Sequence, residues 1–252
     1  MTSDLRSTDN SESHVVEANT PEKMAHSEQE FRLLDFDAYL FDIDGTLLNS
    51  HDAVHYNAFH SALQNVYGCE LKIDNVPVHG NTDIGILRAA LNAYGATEAE
   101  FSAGLLDALE HMFRYVDRNA GELRPVLCPG TRALLETLAS SGKVIGIVSG
   151  NVERIGWLKL EAAGIREFFS IGSFSDRNEL REDIYRWGLE EARRRLGSDV
   201  RVCFVGDTPA DVLAARALNM PVIAVATGIY PVAELQKLRP SACISCYGDL
   251  IE

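Results

Sequence analysis

Four acids and a serine stand where they could act together. Asp42 and Asp44 follow the apolar run Ala38-Tyr39-Leu40-Phe41. Ser149 and Asn151 follow Val144-Ile145-Gly146-Ile147-Val148, and Asp207 follows Val200–Val205. Asp211 lies one helical turn past Asp207 and so on the same side. Carboxylates gathered this closely repel, and they cannot all stay ionised without a cation. Donors that are all oxygen suit Mg²⁺, which keeps several waters and binds through one or two carboxylates plus a substrate phosphate. Beside such a cation one aspartate can attack phosphorus and form an acyl phosphate. A second can protonate the leaving oxygen and later take a proton from water. A cation and a nearby base can balance the phosphoryl charge.

Those residues need strands that end side by side. The three apolar runs, with Pro221–Val225 and Ala242-Cys243-Ile244, alternate with helical patterns such as Gly188–Leu196 and Ala210–Leu218. That alternation predicts an α/β fold: a Rossmann-like parallel sheet with helices on both faces, whose ligands bind beyond the carboxyl ends of the strands. Between Asn49 and about Arg124 the alternation stops. Apolar stripes at helical spacing run through Phe59, Leu63, Val66 and Tyr67, through Ile84, Leu87, Leu91 and Tyr94, and through Leu105, Leu106, Leu109, Met112, Phe113 and Val116. Thr97 and Glu100 have the spacing of a capping box opening the third helix. An insertion this long far exceeds an ordinary strand–helix connection of roughly 2–6 residues. It predicts a helical cap over 51–124, set into a core of 31–50 and 125–252.

The motifs resemble those of the haloacid dehalogenase-like hydrolases. Asp42-Ile43-Asp44-Gly45-Thr46-Leu47 is similar to the family's first motif, DxDGT; Ser149-Gly150-Asn151 to the second; Gly206-Asp207-Thr208-Pro209-Ala210-Asp211 to the fourth, GDxxxD. The order agrees over about residues 35–250. The resemblance implies Asp42 as nucleophile and metal ligand, and Asp44 as general acid/base with its backbone carbonyl on Mg²⁺. It implies Ser149 as a phosphoryl donor helped by amides near Gly150, Asp207 as a metal ligand, and Asp211 in the metal shell. Thr46 steadies the loop and, with Gly150 and Asn151, is expected beside the substrate. The third motif is normally a Lys, often in a KP pair, which this chain lacks. Alignment on Gly188-Leu189-Glu190 puts Arg181 at that position, with Arg177 as runner-up. Gly80-Asn81-Thr82-Asp83 resembles the cap's GxTD turn, which faces the substrate in phosphoglycolate phosphatase-like members; Gly80, Thr82 and Asp83 are therefore expected to touch it.

Composition narrows the partners. Lys plus Arg number 23 against 37 Asp plus Glu, a net charge of −14. An acidic chain without a basic stripe is a poor binder of nucleic acid or anionic membrane. No apolar run approaches the ~18–20 residues of a membrane span. The opening MTSDLRSTDN lacks the basic-then-apolar pattern of a secretory signal. Five cysteines are too few and odd for a disulfide framework. A cytoplasmic protein acting on a small phosphorylated metabolite is expected. Residues 1–30 hold seven acids, two bases and no aromatic residue, which predicts a disordered acidic tail.

Other residues take blander readings. Lys159 is expected as a helix-surface charge, Arg177 as a solvated one, and Cys243/Cys246 as unconnected thiols. His55 and His60 are expected in surface or inter-domain packing, with one of them able to line the cap entrance. The reading of function is a Mg²⁺-dependent phosphatase working through an aspartyl-phosphate. The alternatives are a phosphomutase, or a dehalogenase of the same superfamily, against which Asp44 argues because carbon–halogen attack needs no general acid.

Overall fold

The computed structural model describes residues 32–70 and 73–251; the acidic segment 1–30 lies outside the described residues. The strands are β1 (Ala38–Phe41), β2 (Leu48–Ser50), β3 (Pro125–Leu127), β4 (Val144–Val148), β5 (Ile171–Ser173), β6 (Val202–Gly206), β7 (Val222–Val225) and β8 (Ala242–Ile244). The helices are α1 (Val54–Tyr67), α2 (Asp83–Tyr94), α3 (Glu98–Arg118), α4 (Thr131–Ser140), α5 (Glu153–Ala162), α6 (Arg181–Leu196), α7 (Pro209–Ala217), α8 (Val232–Lys237) and α9 (Gly248–Ile251).

Six strands form one sheet in the order β5-β4-β1-β6-β7-β8, every pairing parallel. Central strand β1 is buried on both faces, as its unbroken apolar run requires. Tyr39 and Phe41 point to the side covered by Leu134 and Leu138 of α4 and Leu160 of α5. Ala38 and Leu40 point to the side covered by Ile184 and Leu189 of α6 and Val212 of α7. Each large side chain so buried contributes about 1.5–3 kcal/mol. From β1 the chain steps outward to β4 and β5, then returns to the opposite flank through β6. That reversal places a crevice beyond the carboxyl end of β1, where open α/β sheets bind ligands.

The insertion leaves and rejoins the core through β2 and β3, an antiparallel pair with Ser50 opposite Pro125. Helices α1 to α3 share an apolar core of Phe59, Leu63, Leu87, Leu91, Phe101, Met112 and Val116, closed by Val152 and by Ile155 of α5. The Thr97–Glu100 capping box is formed at the start of α3. Two expected members of the stripes face outward: Tyr94 is 60% exposed and Leu106 79%. The buried line of α3 runs through Phe101, Ala108, Met112 and Val116, and Leu106 lies off it. Strands β2, β3 and β5, three residues each, carry no alternation long enough to show in the sequence. Among the described residues no helix is long and apolar enough to cross a membrane.

Candidate active site

The loop after β1 turns sharply at Gly45, whose φ of +80° favours glycine. The turn carries Asp42 and Asp44 out at the sheet edge. Asp42 is buried; its Oδ2 lies 3.3 Å from the Arg181 guanidinium, and its Oδ1 is buried without a partner among the described residues. Burial, helped by the negative charge of Asp211 and opposed by Arg181, pushes the Asp42 carboxyl up to about 6.

Asp207 follows β6 and is also buried. Its Oδ1 accepts from the Thr46 hydroxyl at 2.8 Å. Its carboxylate lies in a slot between two glycines: a Cβ on Gly45 would lie 2.3 Å from Oδ2, and one on Gly228 1.8 Å. Burial and the charges of Asp211 and Asp42 push it up to about 8.

Asp211 is positioned by local sequence. Thr208 caps α7, Pro209 takes its first turn, and Asp211 completes a capping box. Its Oδ2 accepts from the Thr208 amide and hydroxyl, and its Oδ1 from Arg181 and from the Tyr185 hydroxyl at 2.6 Å. Its acceptors are thus engaged, so Asp211 braces Arg181 rather than presenting a free oxygen. Carboxylate oxygens of Asp42, Asp207 and Asp211 lie within 4.8 Å of one another. Three carboxylates and one guanidinium leave two negative charges unbalanced. That deficit of charge when all three are ionised, an unpartnered oxygen on Asp42 and an all-oxygen donor set suit one Mg²⁺, which Asp42 and Asp207 could hold.

Arg181 opens α6 and occupies the place expected of the third-motif base. Burial disfavours its charge, but Asp211 and Asp42 outweigh burial and keep it protonated. Arg177, the runner-up, stacks over Trp187 and does not line the cavity.

Asp44 has different company. The Lys159 Nζ donates to both its oxygens at 2.9 and 2.8 Å, and Asn151 Nδ2 donates to Oδ2 at 2.7 Å. The same ammonium donates to Asn151 Oδ1 at 2.8 Å. Burial alone would raise the Asp44 pKa; the Lys159 ammonium and these hydrogen bonds prevail and hold it below the usual carboxylate range. The Asp44 side chain nonetheless keeps 43% exposure on the cavity side. Lys159, read from sequence as a surface charge, is 3% exposed. The physical reason is its face: it lies four residues after Ile155, which is fully buried, so the two share the inward side of α5. That spacing was the available signal.

Ser149, after β4, is buried with its oxygen accepting from Asn151 Nδ2 at 3.0 Å, which leaves its O–H to donate elsewhere. The Gly80–Asp83 turn is tied to this loop. The Asp83 amide donates to the Gly150 carbonyl, and Asp83 Oδ2 accepts from the Val152 amide, both at 2.8 Å. His55 Nε2 lies 3.3 Å from the same oxygen. A Cβ on Gly150 would lie 2.4 Å from the Asn81 carbonyl, so only glycine allows this approach. Arg181 Nε donates to the Gly80 carbonyl at 3.2 Å. Two expected substrate neighbours lie behind the cavity wall. Thr46 faces Asp207, and the Thr82 hydroxyl caps α2 and donates to the Glu179 carbonyl at 2.9 Å. Gly80, Asp83, Gly150 and Asn151 do line the cavity.

The cavity measures about 370 Å³. Its floor is the polar sheet edge just described. Its roof comes from the insertion and includes His55, Tyr56 and Phe59 of α1 with Ile73, Val78 and His79. Floor and roof together enclose a charged, polar surface below and a mixed polar and apolar one above.

Comparison with known proteins agrees with this geometry. Residues 36–219 match the profile of the haloacid dehalogenase-like hydrolases. A phosphoglycolate phosphatase of Mesorhizobium japonicum is 27% identical over 217 residues, covering 84% of this chain and 91% of that protein. One from Xanthomonas campestris pv. campestris is 30% identical over 196 residues, covering 76% of this chain and 83% of that protein. A solved structure of a predicted phosphoglycolate phosphatase from Haemophilus somnus shares the fold, with a TM-score of 0.64 at 21% identity over 86% of this chain and 96% of that one.

Proposed function

The chain belongs to the haloacid dehalogenase-like hydrolases and is a phosphatase of that family; we propose that it cleaves a small phosphate monoester in a Mg²⁺-dependent reaction through a phosphoenzyme on Asp42. The observation that carries this reading is the pairing of two unlike carboxylates: buried Asp42 with an unpartnered oxygen, and cavity-facing Asp44 held by donors.

Asp42 attacks phosphorus in line with the ester oxygen. The P–O bond to the leaving group breaks as the bond to the Asp42 carboxylate forms, and Asp44 gives its proton to the departing oxygen. The phosphoryl dianion beside Asp44 raises its proton affinity and so favours the acid form needed here. In the second step Asp44, now a carboxylate held by Lys159, takes a proton from the water that attacks the acyl phosphate. Inorganic phosphate leaves and Asp42 is restored. Ser149 donates to a phosphoryl oxygen, and Arg181 offsets phosphoryl charge while it orients Asp42. Asp42 and Asp207 would hold Mg²⁺, which would supply charge neutralisation at the phosphoryl oxygens.

The curated relatives named as phosphoglycolate phosphatases make 2-phosphoglycolate the first ester to assay. The test is a panel of phosphorylated metabolites with and without Mg²⁺, followed by mass spectrometry of quenched enzyme. Phosphate release that requires Mg²⁺, with a phosphoryl adduct on the Asp42 peptide, is expected. Turnover without metal, or an adduct elsewhere, overturns the reading.

A further inference from the structure

We propose that Lys159 is the positioning residue of the acid/base: it fixes the Asp44 carboxyl, with Asn151 as brace, so that proton transfer is directed into the cavity. The inference rests on the phosphatase reading above. Its ground is how completely the ammonium is used. Lys159 has three N–H donors, and the structure gives each a partner: Asp44 Oδ1, Asp44 Oδ2 and Asn151 Oδ1. Asn151 closes the ring by donating to Asp44 Oδ2 and to the Ser149 hydroxyl. Rotating the Asp44 carboxyl would break several of these bonds together. The open edge of the carboxyl is therefore the one that meets the cavity.

A purely structural explanation fits poorly. An ammonium at 3% exposure loses its hydration, and its long side chain loses rotamer freedom. An apolar side chain of similar length would fill the same place beside Ile155 without those costs. Nor does Lys159 duplicate Arg181. Arg181 comes from α6 and contacts Asp42 and Asp211; Lys159 comes from α5 and contacts Asp44. The nucleophile and the acid/base each have a cation of their own, on separate elements.

A role in directing a proton predicts dependence on the leaving group. Phenyl phosphate and p-nitrophenyl phosphate place similar demands on the cavity, but phenolate is the more basic leaving group and gains more from protonation. The ratio kcat/KM reports steps up to phosphoryl transfer, so a shared second step does not mask the difference. In Lys159→Met, kcat/KM for phenyl phosphate is expected to fall at least ~30-fold and that for p-nitrophenyl phosphate no more than ~3-fold, a part of the roughly 10²–10⁴-fold that general-acid catalysis supplies. Asp44→Asn should show the same bias, and the double variant should add little to it, because the two residues act as one unit. Lys159→Arg keeps charge and donors; it should lose less and retain the bias, and it serves if the Met variant does not fold. Equal losses on both esters, no loss, or full additivity with Asp44→Asn overturns the inference. Wild-type enzyme inactive on both aryl esters and on the whole panel of phosphorylated metabolites overturns the proposed function itself, a result separate from any outcome among the variants.

Discussion

The floor and the roof of the cavity are built by different rules. On the floor, each buried or cavity-facing acid has a partner that dictates its pose: Asp42 has Arg181, Asp207 has Thr46 and two glycines, Asp44 has Lys159 and Asn151. On the roof, His55 stacks on Phe59, Tyr56 lies against His60, and apolar Ile73 and Val78 face the same space. The floor is a closed network of charges, where removing one partner strands another in a low dielectric. The roof is a surface of shape. The difference suggests a division of labour: chemistry common to any phosphate ester below, and choice of leaving group above.

The sharpest break in that division is at the nucleophile. Asp42→Asn should lower kcat at least ~10³-fold on every ester and abolish the phosphoryl adduct, because the variant has no carboxylate to attack phosphorus. Activity above about a tenth of wild type would sink the covalent route. A purely steric lesion comes next. Gly228→Ala would set a methyl against the Asp207 carboxylate, which Gly45 and the Thr46 hydrogen bond already confine. The Mg²⁺ concentration for half-maximal activity should rise at least ~10-fold, while the fold, read by circular dichroism, persists.

The floor also predicts a pH signature. Asp42 at about 6 and Asp207 at about 8 both lie above the ordinary 3.8, so the cation-free fold holds protons that the unfolded chain has released. Its stability therefore falls as pH rises from about 4 towards 8. Asp44, held low by Lys159, acts the other way, but only as pH falls below 3.8. Mg²⁺ takes the place of those protons, so the rise in Tm on adding it should be larger at pH 8 than at pH 5. An equal rise at both values would mean that the metal does not bind at these carboxylates.

How much of this the sequence disclosed follows the same line. The floor was legible because its residues are set by short local rules: an apolar strand, then a polar turn at its carboxyl end. Asp42, Asp44, Ser149, Asp207 and Asp211 stand in such turns, and Arg181, placed by its distance to a helix, lies 3.3 Å from Asp42. Lys159 was missed because its role arises from α5 packing behind the Asp44 loop, a contact 115 residues apart in sequence. Strand β5, Ile-Gly-Ser, was missed because three residues carry no period and only pairing with β4 makes them a strand. The cap turn was located from its motif, and Gly80 and Asp83 line the cavity. In the structure Asp83 is a joint: its carboxylate holds the Val152 amide where α5 begins. Asp83→Ala would leave that buried amide unpaired, at a cost of about 1–3 kcal/mol, and loosen the loop bearing Ser149 and Asn151. A fall of about 10-fold in kcat/KM, equal on 2-phosphoglycolate and p-nitrophenyl phosphate, is expected. A loss confined to the metabolite would return Asp83 to the roof.

The smallest effect is the one most specific to the roof. Val78 is half-buried, lines the cavity and presents an apolar side chain. Val78→Ala removes two methyl groups from that wall. At about 0.8 kcal/mol per fully buried carbon, and with Val78 only partly covered, the loss is about 1 kcal/mol, or roughly 5-fold. It should appear as a raised KM for p-nitrophenyl phosphate, whose ring meets the roof, with kcat little changed. Inorganic phosphate is the control. As a competitive inhibitor it needs only the floor, so its inhibition constant should stay where it is in Val78→Ala. In Ser149→Ala the pattern should reverse: phosphate binds more weakly, because a phosphoryl donor is gone, whatever the leaving group. If Val78→Ala weakens phosphate as much as it weakens the aryl ester, the roof reaches into the phosphoryl site and the separation of the two surfaces fails.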